Sequence, residues 1–322
     1  MTVLITGATS GIGYAATQRL LKDGHRVIAL CRDADHGLQR LGTWDGQLTL
    51  VETDLADLNA VEQTCQRLLD EAPTLQALVL NAGLQYAGHR QPRFNVQGVE
   101  LTFAVNQLAH QKLARELLPL LTKSAGGRIV ITASEVHNPT SGGGRVGRPA
   151  GLGSLEGLRS GAGFQLLNGD TDFDADKAYK DSKLCNLLLG RHLAALLEQE
   201  EHPMPVITWS PGLVIPRSSD GFFRHSRESN PVGQALFAFV ARDLLRLTVS
   251  VDDAGSLLHD LIQDDAFSPG FHYWSNNLRG PGRHCFESTA TSAEACDLAL
   301  ASELVSLSDQ LIETVRQSHS DE

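Results

Sequence analysis

The fold of this chain is decided near its start by the run Val3-Leu4-Ile5-Thr6-Gly7-Ala8-Thr9-Ser10-Gly11-Ile12-Gly13. Its first residues are apolar, as in a buried strand, and an amphipathic helical pattern follows through about Lys22 until Gly24. Glycines between a strand and a helix let the backbone approach a pyrophosphate at the positive end of the helix. The run therefore predicts a dinucleotide site, with a purely structural turn as the alternative. Its candidate cofactor-binding residues are Gly7, Thr9, Ser10, Gly11, Ile12 and Gly13.

Short apolar runs recur along the chain, mostly separated by segments of helical length. They cover residues 3–5, 27–30, 48–51, 77–80, 129–131 and 206–209. This alternation predicts an α/β fold, a Rossmann-type doubly wound parallel sheet in a single domain. Residues 271–274 follow Pro269-Gly270 and are predicted to form a seventh strand at the sheet edge.

Composition narrows the class of protein. The 322 residues carry a formal net charge of −11, which argues against nucleic acid or an anionic membrane surface as the main partner. Five scattered cysteines suggest neither a disulfide framework nor a metal site, and a reducing cytoplasm fits best. The apolar run at 3–5 leaves no room for a leader peptide, and no run reaches about 18 apolar residues. We therefore expect a cytoplasmic protein without a membrane span, and its oligomeric state stays open.

The residues after the second and third predicted strands indicate the cofactor. Arg32 can fork onto a 2′-phosphate, which predicts NADPH. A solvated Arg32, with Asp33 holding the ribose, is the alternative. Asp54 and Leu55 are placed to meet the adenine, and an ordinary helix N-cap at Asp54 is the alternative.

Polar residues follow the next strands, where such sheets bind ligands. Asn81, Ala82 and Gly83 end the fourth predicted strand. Asn106 falls within a helical segment, where it either kinks the helix and holds a water for proton relay or lies solvated on the surface. Ser134 ends the fifth strand, and its hydroxyl can bond a substrate oxygen or a catalytic tyrosine.

Tyr179 and Lys183 stand four residues apart in a helical pattern. Residues at this spacing share one helical face, so the ammonium is expected to lower the pKa of the phenol toward neutrality. A phenol of that kind exchanges a proton during catalysis. The pair alone is a weak signal, and the upstream motifs make it specific.

Together these motifs resemble the short-chain dehydrogenase/reductase family, over residues 2 to about 275. The shared features are the glycine-rich turn, Asn-Ala-Gly, a helical Asn, a strand-end Ser, Tyr-x-x-x-Lys and then Pro211-Gly212. The resemblance implies that Tyr179 is the proton donor or acceptor, that Lys183 binds nicotinamide ribose, and that Asn106 holds a relay water. It implies Ser134 as the orienting hydroxyl, and cofactor contacts at Pro211, Gly212, Leu213 and Val214.

Residues 135–177 form a long glycine-rich insertion before Tyr179, which we expect to cover a substrate. This insertion and its flanks resemble the light-dependent NADPH:protochlorophyllide oxidoreductases. That resemblance implies hydride transfer from NADPH to a large hydrophobic pigment, with Cys185 in the pigment pocket. A second cysteine of that group, after Pro-Gly, is Leu213 here. Aromatic residues expected near the substrate are Tyr86, Phe222 and Phe223.

Two other functions stay open. An intact Ser134, Asn106, Tyr179 and Lys183 also fits a light-independent carbonyl or alcohol oxidoreductase of the retinol-dehydrogenase type. A binding protein that kept the fold and lost catalysis is a third hypothesis. Under each of them the partner is a small molecule, and peripheral contact with a membrane stays open.

Overall fold

The computed structural model describes residues 1–216, 222–229 and 231–318. In this part of the chain the strands form one eight-stranded sheet in the order β3-β2-β1-β4-β5-β6-β7-β8. Neighbouring strands are parallel from β3 through β7, which confirms the predicted doubly wound fold. The strands are β1 Thr2–Thr6, β2 Arg26–Cys31, β3 Leu48–Glu52, β4 Ala77–Leu80, β5 Arg128–Thr132, β6 Pro205–Ser210, β7 Gly270–Gly280 and β8 Arg283–Ser288.

The sheet edge differs from the prediction. Strand β7 is eleven residues long, and β8 pairs with it antiparallel, so β7 is not an edge strand. The sequence pattern of β8 is weak because most of its residues are exposed or half-buried, and only Phe286 is large and apolar. A half-solvated strand carries no continuous apolar run, and its signal is therefore easily missed.

Helices cover both faces of the sheet. The α-helices are α1 Gly11–Lys22, α2 Ala34–Leu41, α3 Leu58–Glu71, α4 Leu101–Phe103, α5 Ala109–Glu116, α6 Leu118–Thr122, α7 Glu156–Arg159, α8 Ala175–Gln199, α9 Arg224–Ser229, α10 Pro231–Ala238, α11 Val251–Gln263 and α12 Leu298–Ser318. Residues Ala104–Leu108 and Phe239–Leu244 are π-helical, and Glu135–His137 and Glu294–Cys296 are short 3₁₀ turns. Among the described residues, no helix is both long and apolar enough to span a membrane.

Side chains along each strand point alternately to the two faces of the sheet, so the hydrophobic core has one part on each face. Val3 and Ile5 pack toward α1 and α11, whereas Leu4 packs toward α3, α5 and α8. Successive strand side chains point to opposite faces, and in this sheet both faces are covered. Buried strands of this kind appear in sequence as unbroken apolar runs, which is why six of them could be predicted.

The second half of the insertion is folded into the core. Leu152, Leu155 and Leu158 are almost fully buried against residues of α8 and α12. Gly157 donates its N–H to the carbonyl of Leu167 at 3.0 Å, so the segment also closes on itself. Residues 150–167 therefore support the catalytic helix, and the expectation that the insertion 135–177 covers a substrate stays a prediction.

Candidate active site

The glycine-rich turn is shaped by three close or strained positions. Gly7 and Gly11 have φ of 71° and 54°, in the left-handed region that favours glycine. A Cβ at Gly13 would lie 2.3 Å from the carbonyl oxygen of Gly7, so only glycine lets α1 begin this close to β1. Ser10 is the N-cap of α1, yet its side chain makes no capping hydrogen bond. The first amides of α1 are thus left without a side-chain acceptor, which suits an anion such as a pyrophosphate.

Thr6 ties this turn to the end of β4. Its hydroxyl accepts hydrogen bonds from the backbone N–H groups of Asn81 and Ala82, each at 2.9 Å. The Asn81 side chain donates to the Thr6 carbonyl at 3.1 Å and accepts from the Thr132 hydroxyl at 3.1 Å. Asn81 and Ala82 therefore lie beside the glycine-rich turn, as predicted, and hold the ends of β1, β4 and β5 together. Sequence reasoning missed Thr6, because a buried threonine at a strand end has no distinguishing spacing.

The residues predicted near the adenosine end lie on the surface beside this turn. Arg32 is exposed, and Asp33 caps α2 by accepting the His36 N–H at 2.8 Å. Asp33 is thus engaged as a cap, which favours Arg32 as the group open to a cofactor. Arg40, which sequence reasoning also missed, lies with its guanidinium 5.1 Å from the centroid of the Tyr14 ring and donates to the Thr9 carbonyl at 3.3 Å.

Asp54 and Leu55 lie between β3 and α3. Asp54 is exposed and accepts the Ala56 N–H at 3.0 Å, whereas the N-cap of α3 is Asp57. The capping alternative for Asp54 is therefore wrong, because the helix begins three residues later than that alternative required. Leu55 is buried in the core against α3.

Three of the four predicted catalytic side chains meet at the carboxyl ends of β5 and β6. The Ser134 hydroxyl lies near the Tyr179 phenol and acts to lower the pKa of that phenol. Lys183 places its Nζ 5.8 Å from the centroid of the Tyr179 ring. The ammonium donates to the Thr132 carbonyl at 2.8 Å and to Asn186 Oδ1 at 3.1 Å. A Cβ at Gly83 would lie 3.6 Å from the same Nζ, so Gly83 borders this cluster.

The expected lowering of the Tyr179 pKa is wrong for this structure. Burial raises the pKa of Tyr179 above its usual value, and only the nearby Ser134 hydroxyl works against that rise. Lys183 does not offset it because its Nζ is turned to Thr132 and Asn186. Burial in turn lowers the pKa of Lys183 to about 7. Tyr179 is consequently a neutral phenol at neutral pH, which is the state that donates a proton.

Asn106 is fully buried inside the π-helical segment, so the solvated alternative is excluded. Its side chain exchanges hydrogen bonds with the backbone of Leu84, at 2.9 Å from the N–H and at 3.0 Å to the carbonyl. It also donates to the Ser182 hydroxyl at 3.0 Å. The predicted kink is present as a π-helical turn, and Asn106 ties this turn to the catalytic helix.

The loop after β6 and the helix α9 bring aromatic residues to the cluster. Phe222 packs edge-to-face on Tyr179, with ring centroids 5.2 Å apart, and Phe223 packs on Phe222 at 5.0 Å. Leu213 contacts the same small apolar cluster. Phe222 is therefore next to the predicted proton donor, as expected for a residue that faces a substrate.

The loop 211–214 is itself held by backbone contacts. Gly212 has φ of 80°, and Pro211 accepts a hydrogen bond from the Asn276 side chain at 3.3 Å. The Leu213 carbonyl accepts the Val249 N–H at 2.9 Å, and Val214 forms a bridge with Val249. These contacts fix the loop beside the end of β6, where the predicted nicotinamide contacts would form.

Two predicted substrate residues are not brought to the cluster. Cys185 is fully buried in the apolar core beside α12, on another face of α8 from Tyr179. Tyr86 is fully buried too, and its hydroxyl donates to Glu100 at 2.5 Å. Neither residue is open to a ligand in this structure, because the packed insertion closes over both of them. Cys185 is close to Lys183 along the chain, but closeness in sequence does not show which face of α8 its side chain occupies.

Comparison with known protein families agrees with this geometry. The model of the short chain dehydrogenase family matches residues 1–144. A protochlorophyllide reductase of Avena sativa is 34% identical over 323 residues, an alignment that covers 96% of this chain and 99% of that protein. Protochlorophyllide reductase A, chloroplastic, of Oryza sativa subsp. japonica is 34% identical over 320 residues, with 96% of this chain and 80% of that protein covered.

Solved structures share the fold over most of the chain. A crystal structure of an uncharacterised protein from Mycobacterium paratuberculosis has a TM-score of 0.69 at 25% identity, covering 97% of this chain and 93% of that one. A Pseudomonas aeruginosa RhlG/NADP active-site complex has a TM-score of 0.60 at 25% identity, covering 85% of this chain and 93% of that one.

Proposed function

This chain belongs to the short-chain dehydrogenase/reductase family of nicotinamide-dependent oxidoreductases, and we propose that it is an NADPH-dependent reductase of a large hydrophobic substrate of the protochlorophyllide type. The observation that carries the proposal is the contact of Phe222 with Tyr179, 5.2 Å between ring centroids, directly at the Ser134–Lys183 cluster. An aromatic side chain on a proton donor suits a flat, apolar substrate better than a small polar one.

The residues of the turn fit a dinucleotide. Gly13 allows close approach of backbone to backbone, and the amides at the start of α1 have no side-chain acceptor. Arg32 is exposed, whereas the neighbouring Asp33 is engaged as a helix cap. This arrangement favours a 2′-phosphate on Arg32 over ribose hydroxyls on Asp33, and hence NADPH.

The chemistry assigned to the chain is proton delivery and orientation. The reduced nicotinamide supplies a hydride when bound. Tyr179, neutral because burial raises its pKa, supplies the proton that completes reduction of the double bond. Ser134 would orient the phenol and the substrate oxygen with its nearby hydroxyl, and Lys183 borders the position where nicotinamide ribose would lie. Phe222 and Phe223 belong to an apolar cluster beside Tyr179, which would exclude water from the reacting atoms.

Similarity along nearly the whole chain supports the pigment substrate. The Avena sativa relative named protochlorophyllide reductase aligns over 96% of this chain and 99% of its own length. We propose that the reaction is started by light absorbed by the pigment and that it belongs to chlorophyll formation. In this hypothesis Leu213 stands where a thiol is expected, so proton delivery depends on Tyr179.

The test is incubation of the purified protein with NADPH and protochlorophyllide, first in darkness and then under illumination. We expect chlorophyllide to form only in the light, measured by its red-shifted absorption. Quenching of intrinsic fluorescence by NADPH serves as the control that the protein is folded and binds cofactor. If protein that passes this control does not convert protochlorophyllide to chlorophyllide, the proposal is wrong.

The cofactor assignment has its own test. The parent protein should bind NADPH at least about tenfold more tightly than NADH, because one charged hydrogen-bonded pair contributes about 1.5–3 kcal/mol. Arg32→Ala should remove most of that difference without changing NADH binding, and Arg26→Ala, at an exposed residue of β2, is the matched control. Equal binding of the two cofactors by the parent would contradict the assignment.

A light-independent carbonyl reductase is the second candidate. The Ser134 hydroxyl near the Tyr179 phenol favours it, because two hydroxyls at one site can polarise a carbonyl oxygen. NADPH oxidation in darkness with retinal-type aldehydes would support this function, and strict dependence on light would exclude it.

A further inference from the structure

Asn186 lies between the two catalytic elements of the site. It follows Lys183 by three residues on α8, so both side chains point to the same side of the helix. Asn186 Oδ1 accepts a hydrogen bond from Lys183 Nζ at 3.1 Å, and Asn186 Nδ2 donates to the backbone carbonyl of Asn106 at 2.7 Å. Asn186 and Asn106 are fully buried, and Lys183 is 3% exposed.

The π-helical turn explains why a side chain reaches the Asn106 carbonyl. In this turn the ladder widens, and Ala109 donates its N–H to Ala104, five residues earlier. Widening of this kind lets a side chain or a water enter the hydrogen-bond ladder. Here the occupant is the Asn186 carboxamide, which bridges a catalytic cation to the backbone of the neighbouring element.

We propose that Asn186 is a positioning residue for Lys183, and that its carboxamide takes the place between Lys183 Nζ and the Asn106 carbonyl that a relay water would otherwise fill. A carboxamide accepts at its oxygen and keeps its two N–H protons, whereas a water both gives and takes protons. The bridge therefore orients the ammonium and carries no proton between Lys183 and Asn106. The inference rests on the proposed role of Lys183 in this site and refines it.

The bridge is anchored by further buried amides. Asn186 Nδ2 also lies 3.4 Å from Gln107 Oε1, and Gln107 donates to Gln111 Oε1 at 3.2 Å. Gln111 in turn donates to the Val305 carbonyl at 2.9 Å and to Asp309 at 2.7 Å, both on α12. Satisfied buried networks of this kind are rigid. The orientation of Lys183 is consequently linked to packing of the C-terminal helix.

The groups that face Lys183 are neutral. Tyr179 on the same helix is a neutral phenol, and burial lowers the pKa of His110 on α5 to about 3, which keeps that imidazole uncharged at neutral pH. Thr132 and Asn186 provide the acceptors for the ammonium, and neither carries charge. A charge introduced at position 186 should therefore act on Lys183 directly.

The test follows the titration of Lys183 in protein labelled with ¹³C-lysine, with its resonance assigned by loss in Lys183→Met. Asn186→Asp keeps the shape and places a carboxylate on the ammonium, which should raise the titration midpoint by at least about one pH unit. Asn186→Leu removes the acceptor and should lower it. Cys185→Ala, at the adjacent buried position on another face, should leave it unchanged.

A midpoint that stays within about 0.3 units in folded Asn186→Asp and in folded Asn186→Leu would overturn the proposal. If the aspartate variant does not fold, the leucine variant alone decides. The pH dependence of NADPH-linked turnover should shift in the same direction as the titration, which a merely structural role would not produce. The titration needs neither cofactor nor pigment, so failure of pigment reduction and failure of this inference are distinguishable.

Discussion

Two lysines on the catalytic helix are equally buried and have opposite surroundings. Lys183 and Lys177 are 3% and 4% exposed. Lys183 donates only to neutral oxygens, those of Thr132 and Asn186. Lys177 lies on another face of α8, where it pairs with Asp181 at 2.8 Å and donates to the Gly151 carbonyl at 2.8 Å.

The difference separates a residue proposed to act in the reaction from one that stabilises the fold. A buried ammonium with neutral partners keeps its charge at a cost, so burial lowers the pKa of Lys183 to about 7 and its protonation can change near neutral pH. The pair of Lys177 with Asp181 instead fastens the insertion to α8, because Asp181 also accepts the Gly151 N–H at 2.9 Å. Two lysines on different faces of one helix thus have a proposed catalytic role and a structural role.

Replacing Lys183 should give the largest effect on activity. We expect Lys183→Met to lower NADPH-linked turnover by about 100-fold or more, since both proton transfer and cofactor placement are proposed to depend on the Lys183 side chain. The same change should not reduce the free energy of unfolding, because it removes a buried charge without a counter-ion. Steady-state kinetics and urea denaturation measure the two quantities. Loss of stability together with activity would contradict the division between the two faces.

Replacing Lys177 should have the reverse effect. Lys177→Met leaves Asp181 buried without its cation and should lower the free energy of unfolding by about 3–5 kcal/mol. Turnover per folded molecule should stay within a few-fold of the parent. The double variant Lys177→Met/Asp181→Leu should recover most of the stability, because no unpaired charge remains. Denaturant titration of the three variants checks this, and a double variant no better than the single one would refute it.

Asp181 and Lys183 should also make the free energy of unfolding depend on pH in opposite directions. Burial raises the pKa of Asp181 from 3.8 to about 7, so the folded state binds the extra proton and the free energy of unfolding falls as pH rises through that window. The pKa of Lys183 is lowered from 10.5 to about 7, so the unfolded state binds more protons and stability rises with pH above 7.

Each slope is at most about 1.4 kcal/mol per pH unit, the limit for one proton. Compared with the parent, Asp181→Asn should remove the decrease in the free energy of unfolding as pH rises toward 7. Lys183→Met should remove the increase in the free energy of unfolding as pH rises above 7. Chemical denaturation at a series of pH values gives both differences. Variants that leave both slopes unchanged would show that these groups titrate alike in the folded and unfolded states.

Cys185 should give the smallest effect. Its burial beside α12 predicts that Cys185→Ala lowers the free energy of unfolding by about 1 kcal/mol and leaves turnover per folded molecule unchanged. Thermal denaturation and kinetics with protochlorophyllide in the light measure these effects. Selective loss of pigment reduction in a stable Cys185→Ala protein would contradict this prediction and would indicate that Cys185 contacts the substrate.

Much of the fold was predictable because buried parallel strands are continuous apolar runs. The first six strands were found in this way, together with the glycine-rich turn, which needs φ values that Gly7 and Gly11 supply. Strand β8 was missed because its pattern is broken by exposed residues. The glycines of the insertion 135–177 predict a loop, and they do not reveal that the leucines of residues 150–167 form part of the core.

The amino-acid sequence by itself determined the family and the candidate catalytic residues, because Tyr179, Lys183, Asn106, Ser134 and the glycine-rich turn stand at spacings typical of that family. Tertiary structure alone decided how those groups behave. Burial reversed the expected shift of the Tyr179 pKa, and packing sent Cys185 into the core. The π-helical turn brought the Asn106 carbonyl to Asn186. Spacing along a chain identifies which groups can meet, whereas the local dielectric and the facing partners, which set pKa and access, arise only when distant segments pack together.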